Sequence, residues 1–434
     1  MEIKDLYELY LQCDCKVTTD SRNIQGGEIF FALKGENFDG NQYALSALEK
    51  GARWAVVDCG NLPKRAELIV VEDSFKALQQ LAIHHRKHVK DGKLPVIGLT
   101  GTNGKTTTKN LIEAVLSCKY KVTATKGNLN NDIGVPLSLL SITPDTEIAV
   151  IEMGANHPDD ITKLVQVSQP DYGLITNVGK AHLLGFGSFE GVMAAKGELY
   201  RWLGEHRGSL IFVNEDDCNL REMASKQPSH SYGYGMKYQG AELLPSSPDQ
   251  PFLRIKLAGE TINTQLVGSY NADNVLAALA VGEYFGVARN KAIEAIEGYC
   301  PANKRSQMMR TEKNTLIVDA YNANPSSMNA ALDNFSNVQA ERKIAMLGDM
   351  RELGEDSLGE HISILGKLRS MELESYLVGE EFAKAVEQEG KGSEMLFSTS
   401  EALTAFLTEH PVEQAVILLK GSRGIAMEKV IPVL

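Results

Sequence analysis

Residues Gly98 to Thr107 read GLTGTNGKTT, between the apolar run Leu94-Pro95-Val96-Ile97 and an amphipathic segment. Gly101 and Gly104 let a backbone turn sharply enough for its N–H groups, those of Thr102 and Asn103 among them, to point at phosphate oxygens. Lys105 can reach the outer phosphates of a nucleotide, and the Thr106 hydroxyl can meet Mg²⁺. A helix opening through Thr107 adds its positive end. The full pattern G-x-x-x-x-G-K-[ST] is not met, because its first glycine would fall where the chain has Leu99. A glycine-rich turn with an incidental lysine is the competing reading. The strand before and the helix after favour a phosphate loop of variant form. No Asn-Lys-x-Asp guanine signature follows a strand, so ATP is expected rather than GTP.

Other residues could complete such a site. Glu152 ends the apolar run in EIAVIEMGAN and is a candidate Mg²⁺ carboxylate, against the alternative of an ordinary strand-end glutamate. Asn177 and His182 follow another apolar run in LITNVGKAHLLGFGS, although a lone histidine is more often structural than a ligand. Lys196 lies inside the apolar helical stretch GVMAAKGELY, where most helix lysines would be solvated. Asn271 and Asn274 in GSYNADNVLAALA share one helix face and could read a base edge or cap the helix. Asp319, Tyr321, Asn322 and Asn324 follow a strand in VDAYNANPSSM. LLKGSRGIAMEKV reads as strand, turn and helix, a second anion cradle with Lys420 and Arg423 and looser spacing. His84 and His88 in HHRKH have a zinc-like i,i+4 spacing, but without a carboxylate or cysteine nearby a metal is not expected there.

The elements that must position these groups alternate. Continuous β-rich runs are Trp54–Val57, Leu68–Val71, Val96–Leu99, Lys121–Ala124, Ile148–Glu152, Gly173–Asn177 and Leu210–Val213. Leu316–Asp319, Lys343–Leu347, Ser375–Val378 and Ala415–Leu419 follow. With helical spacing between them, they predict an α/β fold of parallel sheets covered on both faces. In a doubly wound sheet the carboxyl ends of adjacent strands converge on one crevice, so the loop, Glu152 and His182 are expected to meet. LRIKLAGETINTQLVG interrupts this with a β-hairpin about Gly259-Glu260. Three domains are expected, 1–89, 90–300 and 301–434, with a hinge in CPANKRSQ.

Composition narrows the function classes. A formal net charge of -12 argues against broad nucleic-acid or anionic-membrane binding. No apolar run approaches the roughly 18 residues that span a bilayer, and MEIKDLYELYLQCDCK has no signal-peptide pattern. Six cysteines without a C-x-x-C pair read as reduced thiols of a cytoplasmic protein. A monomer is the default expectation.

TGTNGKTTT, VIEMGAN, TNVGKAHL, AAKGELY, GSYNADNVLAA and DAYNANPSSM, in that order, resemble the Mur ligase family, and TDSRNIQGGEIFFALKGENFDGNQYALSALEKGA resembles its uridine-nucleotide-binding domain. The likeness covers nearly the whole chain. KGNLNNDIGVPLSLL, AHLLGFGS and YNANPSSM are similar to the branch that adds D-alanyl-D-alanine to a UDP-N-acetylmuramoyl-tripeptide. The resemblance implies a central P-loop-type ATP domain, a C-terminal Rossmann-like domain and a small N-terminal α/β domain. It implies an acyl phosphate, then a tetrahedral intermediate, both anionic. Lys105 and the loop would hold the outer phosphates; Thr106 and Glu152 would hold one Mg²⁺; His182 and a carbamylated Lys196 would hold a second. Asn271 and Asn274 would face the adenine, with Arg305 and Asp319 closing onto the nucleotide. Ser21 and Arg22 would take the uridine nucleotide, Asn128, Asn130, Asn131 and Asp132 the muramoyl peptide, and Asn322, Asn324 and Arg423 the dipeptide. The rivals are another amide ligase of the family, such as one extending folate, and a regulatory ATP-binding module.

Overall fold

The structure, a computed structural model, describes residues 1–245, 250–301 and 307–434. Arg305 and most of the expected hinge lie outside the described residues. The central sheet runs His230–Tyr234, Leu210–Asn214, Tyr172–Ile175, Val96–Thr100, Ile148–Glu152, Val122–Ala124, every pair parallel. Val96–Thr100 and Ile148–Glu152 are buried at every position, as strands covered on both faces must be. The first strand in sequence lies between the third and the fourth, and that reversal opens a crevice at their carboxyl ends. Gly101, Glu152 and Asn177 all sit there.

The third sheet repeats the device. Its order is Gln307–Arg310, Thr315–Asp319, Val416–Lys420, Lys343–Gly348, Glu374–Val378, Met395–Phe397, parallel except for the first pair. The N-terminal sheet, Val17–Thr18, Ile29–Phe31, Trp54–Val57 and Leu68–Val70, is wholly parallel. Helices Ile3–Gln12 and Ser74–His88 join it to the central sheet in one continuous apolar cluster, in which Leu6, Tyr10 and Leu81 meet Leu139, Ile151 and Met153. The Tyr10 hydroxyl donates to the Leu140 carbonyl at 2.8 Å across that seam.

Several expectations shift. The hairpin forms between Arg254–Leu257 and Glu260–Asn263, but its turn is Ala258-Gly259, both with positive φ, so Glu260 already belongs to the return strand. Glu242–Leu244 adds a third strand, too short at three residues for its sequence to announce. The segment after Lys420 is not an α-helix; it forms short 3-10 turns, Arg423–Ile425 and Met427–Val433, the latter containing Pro432. His84 and His88 stack ring on ring at 3.9 Å, and among the described residues no group of three metal-ligating side chains forms. All six cysteines are free. Among the described residues no helix is long and apolar enough to cross a membrane.

Candidate active site

The loop leaves the central sheet at Gly101, whose φ is +146°. A Cβ there would lie 2.0 Å from Thr176 Oγ1, and one on Gly104 (φ +80°) would lie 2.7 Å from Asn274 Oδ1. Both positions therefore need glycine. The neighbouring strand end fixes the loop. Asn103 N–H donates to Asn177 Oδ1 at 3.0 Å, Asn177 Nδ2 donates back to the Asn103 carbonyl at 3.0 Å, and Thr102 N–H donates to the Asn177 carbonyl at 3.0 Å. Lys105, first residue of helix Lys105–Leu116, folds its ammonium over the loop, donating to the carbonyls of Gly101 at 2.7 Å and Thr102 at 2.9 Å. Leu99 is explained by the strand: it is fully buried in the core, and the loop begins two residues later than the strict pattern requires.

Glu152 is 1% exposed. Its Oε1 accepts from Thr106 Oγ1 at 3.2 Å and Asn130 Nδ2 at 2.8 Å, while Oε2 is buried without a hydrogen-bond partner. A buried carboxylate oxygen left in that state suits a cation. Mg²⁺ commonly takes one or two carboxylates, with phosphate oxygens and waters filling the rest. One carboxylate and one hydroxyl beside a phosphate loop fit that need without an all-protein cage.

His182 lines the same crevice from beyond the fourth strand, and Lys196 lies buried behind it against Ala155, which does line it. His182 has a left-handed backbone (φ +51°) and opens the short turn Leu183–Phe186. Burial, with the charges of Lys105 and Lys196, holds its imidazole below the usual range against the pull of Glu352. Lys196 is 2% exposed on helix Phe189–Glu205; its ammonium donates to the Ala155 carbonyl at 3.2 Å and lies 5.3 Å from the Phe186 ring centre. Burial first, then Lys105, pushes its pKa down to about 7. At neutral pH a good fraction is free amine, the form that can attack carbon dioxide.

The third sheet closes the cleft, whose volume is about 520 Å³. Asp319, Tyr321, Asn322, Ser326 and Lys420 line it opposite the loop. The domains touch through specific bonds: Asn324 Nδ2 donates to Asn103 Oδ1 at 2.9 Å, Lys180 N–H to Ser326 Oγ at 3.1 Å, and Lys180 Nζ to Glu360 Oε1 at 2.7 Å. Asn324 also caps helix Pro325–Ser336. The second anion cradle is corrected here: Lys420, 1% exposed, is paired with Asp319 and donates to the Asn322 carbonyl at 3.2 Å, so its charge is already compensated. Arg423 stacks 5.6 Å over the Tyr321 ring.

Asn271 and Asn274 line the cleft but are buried and bonded inward. Asn274 Nδ2 donates to Asn271 Oδ1 at 2.9 Å, Thr108 Oγ1 donates to Asn274 Oδ1 at 2.9 Å, and Asn271 Nδ2 donates to the Val267 carbonyl at 2.8 Å. Neither Asn271 nor its helix shows a side-chain cap bond, so capping does not explain it. Asn128 and Asn130 line the cleft; Asn131 accepts from Gly134 N–H, and the Asp132 carbonyl accepts from Gln79. Ser21 and Arg22 stand apart in the turn that follows the first strand of the N-terminal sheet, where Arg22 grips Asp20 with two bonds and holds its carboxyl at about 2. Sequence reasoning missed Thr125, whose hydroxyl accepts from Glu152 N–H at 3.0 Å, and Glu352, which meets His182 from the third domain. Neither lies in a motif with a spacing of its own.

Comparison with known proteins agrees with this arrangement. Three consecutive segments match Mur ligase descriptions: the family's catalytic domain over residues 16–86, the middle domain over 99–282, and the glutamate ligase domain over 304–423. The UDP-N-acetylmuramoyl-tripeptide–D-alanyl-D-alanine ligase of Bacillus subtilis is 33% identical, over 96% of this chain and 92% of its own. Among solved structures, MurF from Acinetobacter baumannii is similar with a TM-score of 0.83 at 31% identity, covering 96% of this chain and 92% of that one. MurF from Thermotoga maritima, solved in complex with ADP, has a TM-score of 0.83 at 25% identity, covering 96% of both chains. With a third of its residues identical to such a relative over nearly its whole length, the chain belongs to the Mur ligase family.

Proposed function

We propose that the chain is an ATP-dependent amide-forming ligase that joins D-alanyl-D-alanine to the terminal carboxylate of UDP-N-acetylmuramoyl-tripeptide in the cytoplasm, acting as a monomer. The observation that carries the reading is the cleft itself, where the switch points of two parallel sheets face each other with the phosphate loop and Glu152 on one side and Asp319 on the other. In the reaction, a carboxylate oxygen of the tripeptide attacks the γ-phosphorus of ATP, ADP leaves, and an acyl phosphate forms. The free amine of the dipeptide attacks the acyl carbon, and the tetrahedral intermediate collapses with loss of a proton from nitrogen and departure of phosphate.

The loop N–H groups and Lys105 hold the outer phosphates, and Lys105 exchanges its loop carbonyl partners for phosphate oxygens as ATP enters. Mg²⁺, when bound, neutralises charge on the transferring phosphoryl group. Thr106 and Glu152 would hold one ion; His182 and a carbamylated Lys196 would hold a second. Carbamylation turns a cation into a carboxylate-like ligand, and the depressed pKa of Lys196 supports it. Asn271 and Asn274 set the adenine side, Arg305 and Asp319 the closing side. The 1–89 segment takes the uridine nucleotide through Ser21 and Arg22, segment 90–300 takes ATP, and segment 301–434 takes the dipeptide through Asn322, Asn324 and Arg423. Asn128, Asn130, Asn131 and Asp132 follow the muramoyl peptide. A closed cleft keeps water from the acyl phosphate.

Phosphate release from ATP tests the reading, with UDP-muramoyl-tripeptide and D-alanyl-D-alanine each omitted in turn. Release that needs both supports it. Release with a folate acceptor and glutamate, or with neither substrate, would sink it.

A further inference from the structure

Beyond the motifs, one contact joins the two halves of the cleft. His182 Nδ1 lies against Glu352 Oε2 in an ion-pair contact that is off the line of a good hydrogen bond. Glu352 belongs to the third domain, His182 to the central one. Beside them the Leu184 N–H donates to the Glu352 carbonyl at 3.2 Å, so the contact is made by backbone as well as charge. Both residues hold left-handed backbones, φ +51° and +65°, which non-glycine residues adopt only when their surroundings insist.

The surroundings of Glu352 do insist. Arg351 N–H donates to Ser422 Oγ at 2.9 Å, and Ser422 N–H donates to the Asp349 carbonyl at 3.2 Å. Met350 N–H donates to Nε2 of the fully buried His361 at 3.0 Å. The three residues between the strand end and Glu352 are thus tied to the neighbouring strand's exit at Ser422 and to helix Ser357–Ser370. These bonds hold the backbone that leads to Glu352, and its side chain, 55% exposed, reaches from there to His182.

A metal-ligating imidazole generally gives its second ring nitrogen to a carboxylate or carbonyl, which sets the tautomer and orients the ring. With Nδ1 taken by Glu352, Nε2 is the atom left for a cation. We propose that Glu352 is a positioning residue for the ligase reaction: from the third domain, it fixes the ring of His182 for cation binding, and it does so only when the cleft is closed. Closure and completion of the cation site are then one event. This rests on the ligase reading above for its purpose, but not for its test.

The test counts Mn²⁺ bound to the full chain by electron paramagnetic resonance, with ADP present, for wild type, Glu352→Ala, Glu352→Gln, Glu360→Ala and His182→Ala. Glu352→Ala should weaken Mn²⁺ binding about tenfold. Glu352→Gln keeps the shape and an acceptor oxygen, and should fall between the two. Glu360→Ala removes the ion pair to Lys180 across the same interface without touching the imidazole, and should leave binding within about twofold, as expected of a half-exposed pair. In the His182→Ala background, Glu352→Ala should add nothing further. The proposal is overturned if Glu352→Ala leaves Mn²⁺ affinity unchanged, if Glu360→Ala weakens it equally, or if the Glu352→Ala effect survives without His182. Circular dichroism and ADP binding of the Gln variant guard against a folding artefact. Failure of the wild type to release phosphate with the two ligase substrates would remove the ligase reading while leaving the Mn²⁺ comparison standing.

Discussion

Lys196 and Lys420 are both almost completely buried, and they are buried differently. Lys420, 1% exposed, ends a strand of the third sheet directly beside Asp319 on the adjacent strand and is paired with it. Lys196, 2% exposed, has a carbonyl and the face of Phe186, and among the described residues no carboxylate within ion-pair distance. Burying a charge is tolerable when it is paired, and otherwise the group tends to give up its proton. Lys420 closes an ion pair between adjacent strands, whereas Lys196, on helix Phe189–Glu205, has no such partner and is pushed toward the amine form by burial. The difference separates a structural lysine from the one proposed to be functional, and of the two only Lys420 lines the cleft.

The largest effect should come from the functional one. Lys196→Ala should lower ligase turnover on the order of 10³-fold, in the range lost when a key charge-stabilising group is removed. Binding of ADP should survive, since the phosphate loop is untouched; unchanged turnover would equate the two lysines and favour a regulatory ATP module. Leu99→Gly, which restores the strict glycine pattern, should instead damage the fold by about 4 kcal/mol, the scale of a large buried deletion. Urea denaturation reads it, and a neutral result would mean that the core does not set where the loop begins. Lys420→Met should cost roughly 3 kcal/mol, because it removes one member of a largely buried ion pair. If it abolished turnover with stability intact, Lys420 would belong with Lys196.

What was legible in the sequence follows the same division. Glu152 and Lys105 could be read because strand, loop and helix are local patterns, and the parallel strands because buried strands are continuously apolar. Lys196 is indistinguishable by local pattern from a solvated helix lysine; only its resemblance to a family gave it a role, and only burial against Ala155 supplies a physical reason. The supposed anion cradle at Lys420 failed because Asp319 lies 101 residues away in sequence and one strand away in space. Glu352 was invisible for a similar reason: its partner, His182, is in another domain. The strand Glu242–Leu244 was missed because three residues carry little periodic signal, and the one-residue shift of the hairpin turn because Ala258 gives no hint of a positive φ.

The smallest expected effect is the most discriminating, because it concerns the proton itself. Lys196 has a pKa near 7 folded, against the ordinary lysine value of 10.5. Below pH 7 both states hold the proton, and the folded state bears the whole burden of a buried ammonium. Between pH 7 and 10.5 the unfolded chain holds a proton that the folded chain has released, so wild-type stability rises with pH across that window. Compared with Lys196→Met in bicarbonate-free buffer, the wild type should gain about 2 kcal/mol between pH 7 and 9, as the linkage integral gives for a shift of this size. A gap between wild type and Lys196→Met that stays flat from pH 7 to 9 would mean that Lys196 keeps its proton when buried. It would then be a second structural lysine, without the free amine that carbamylation requires.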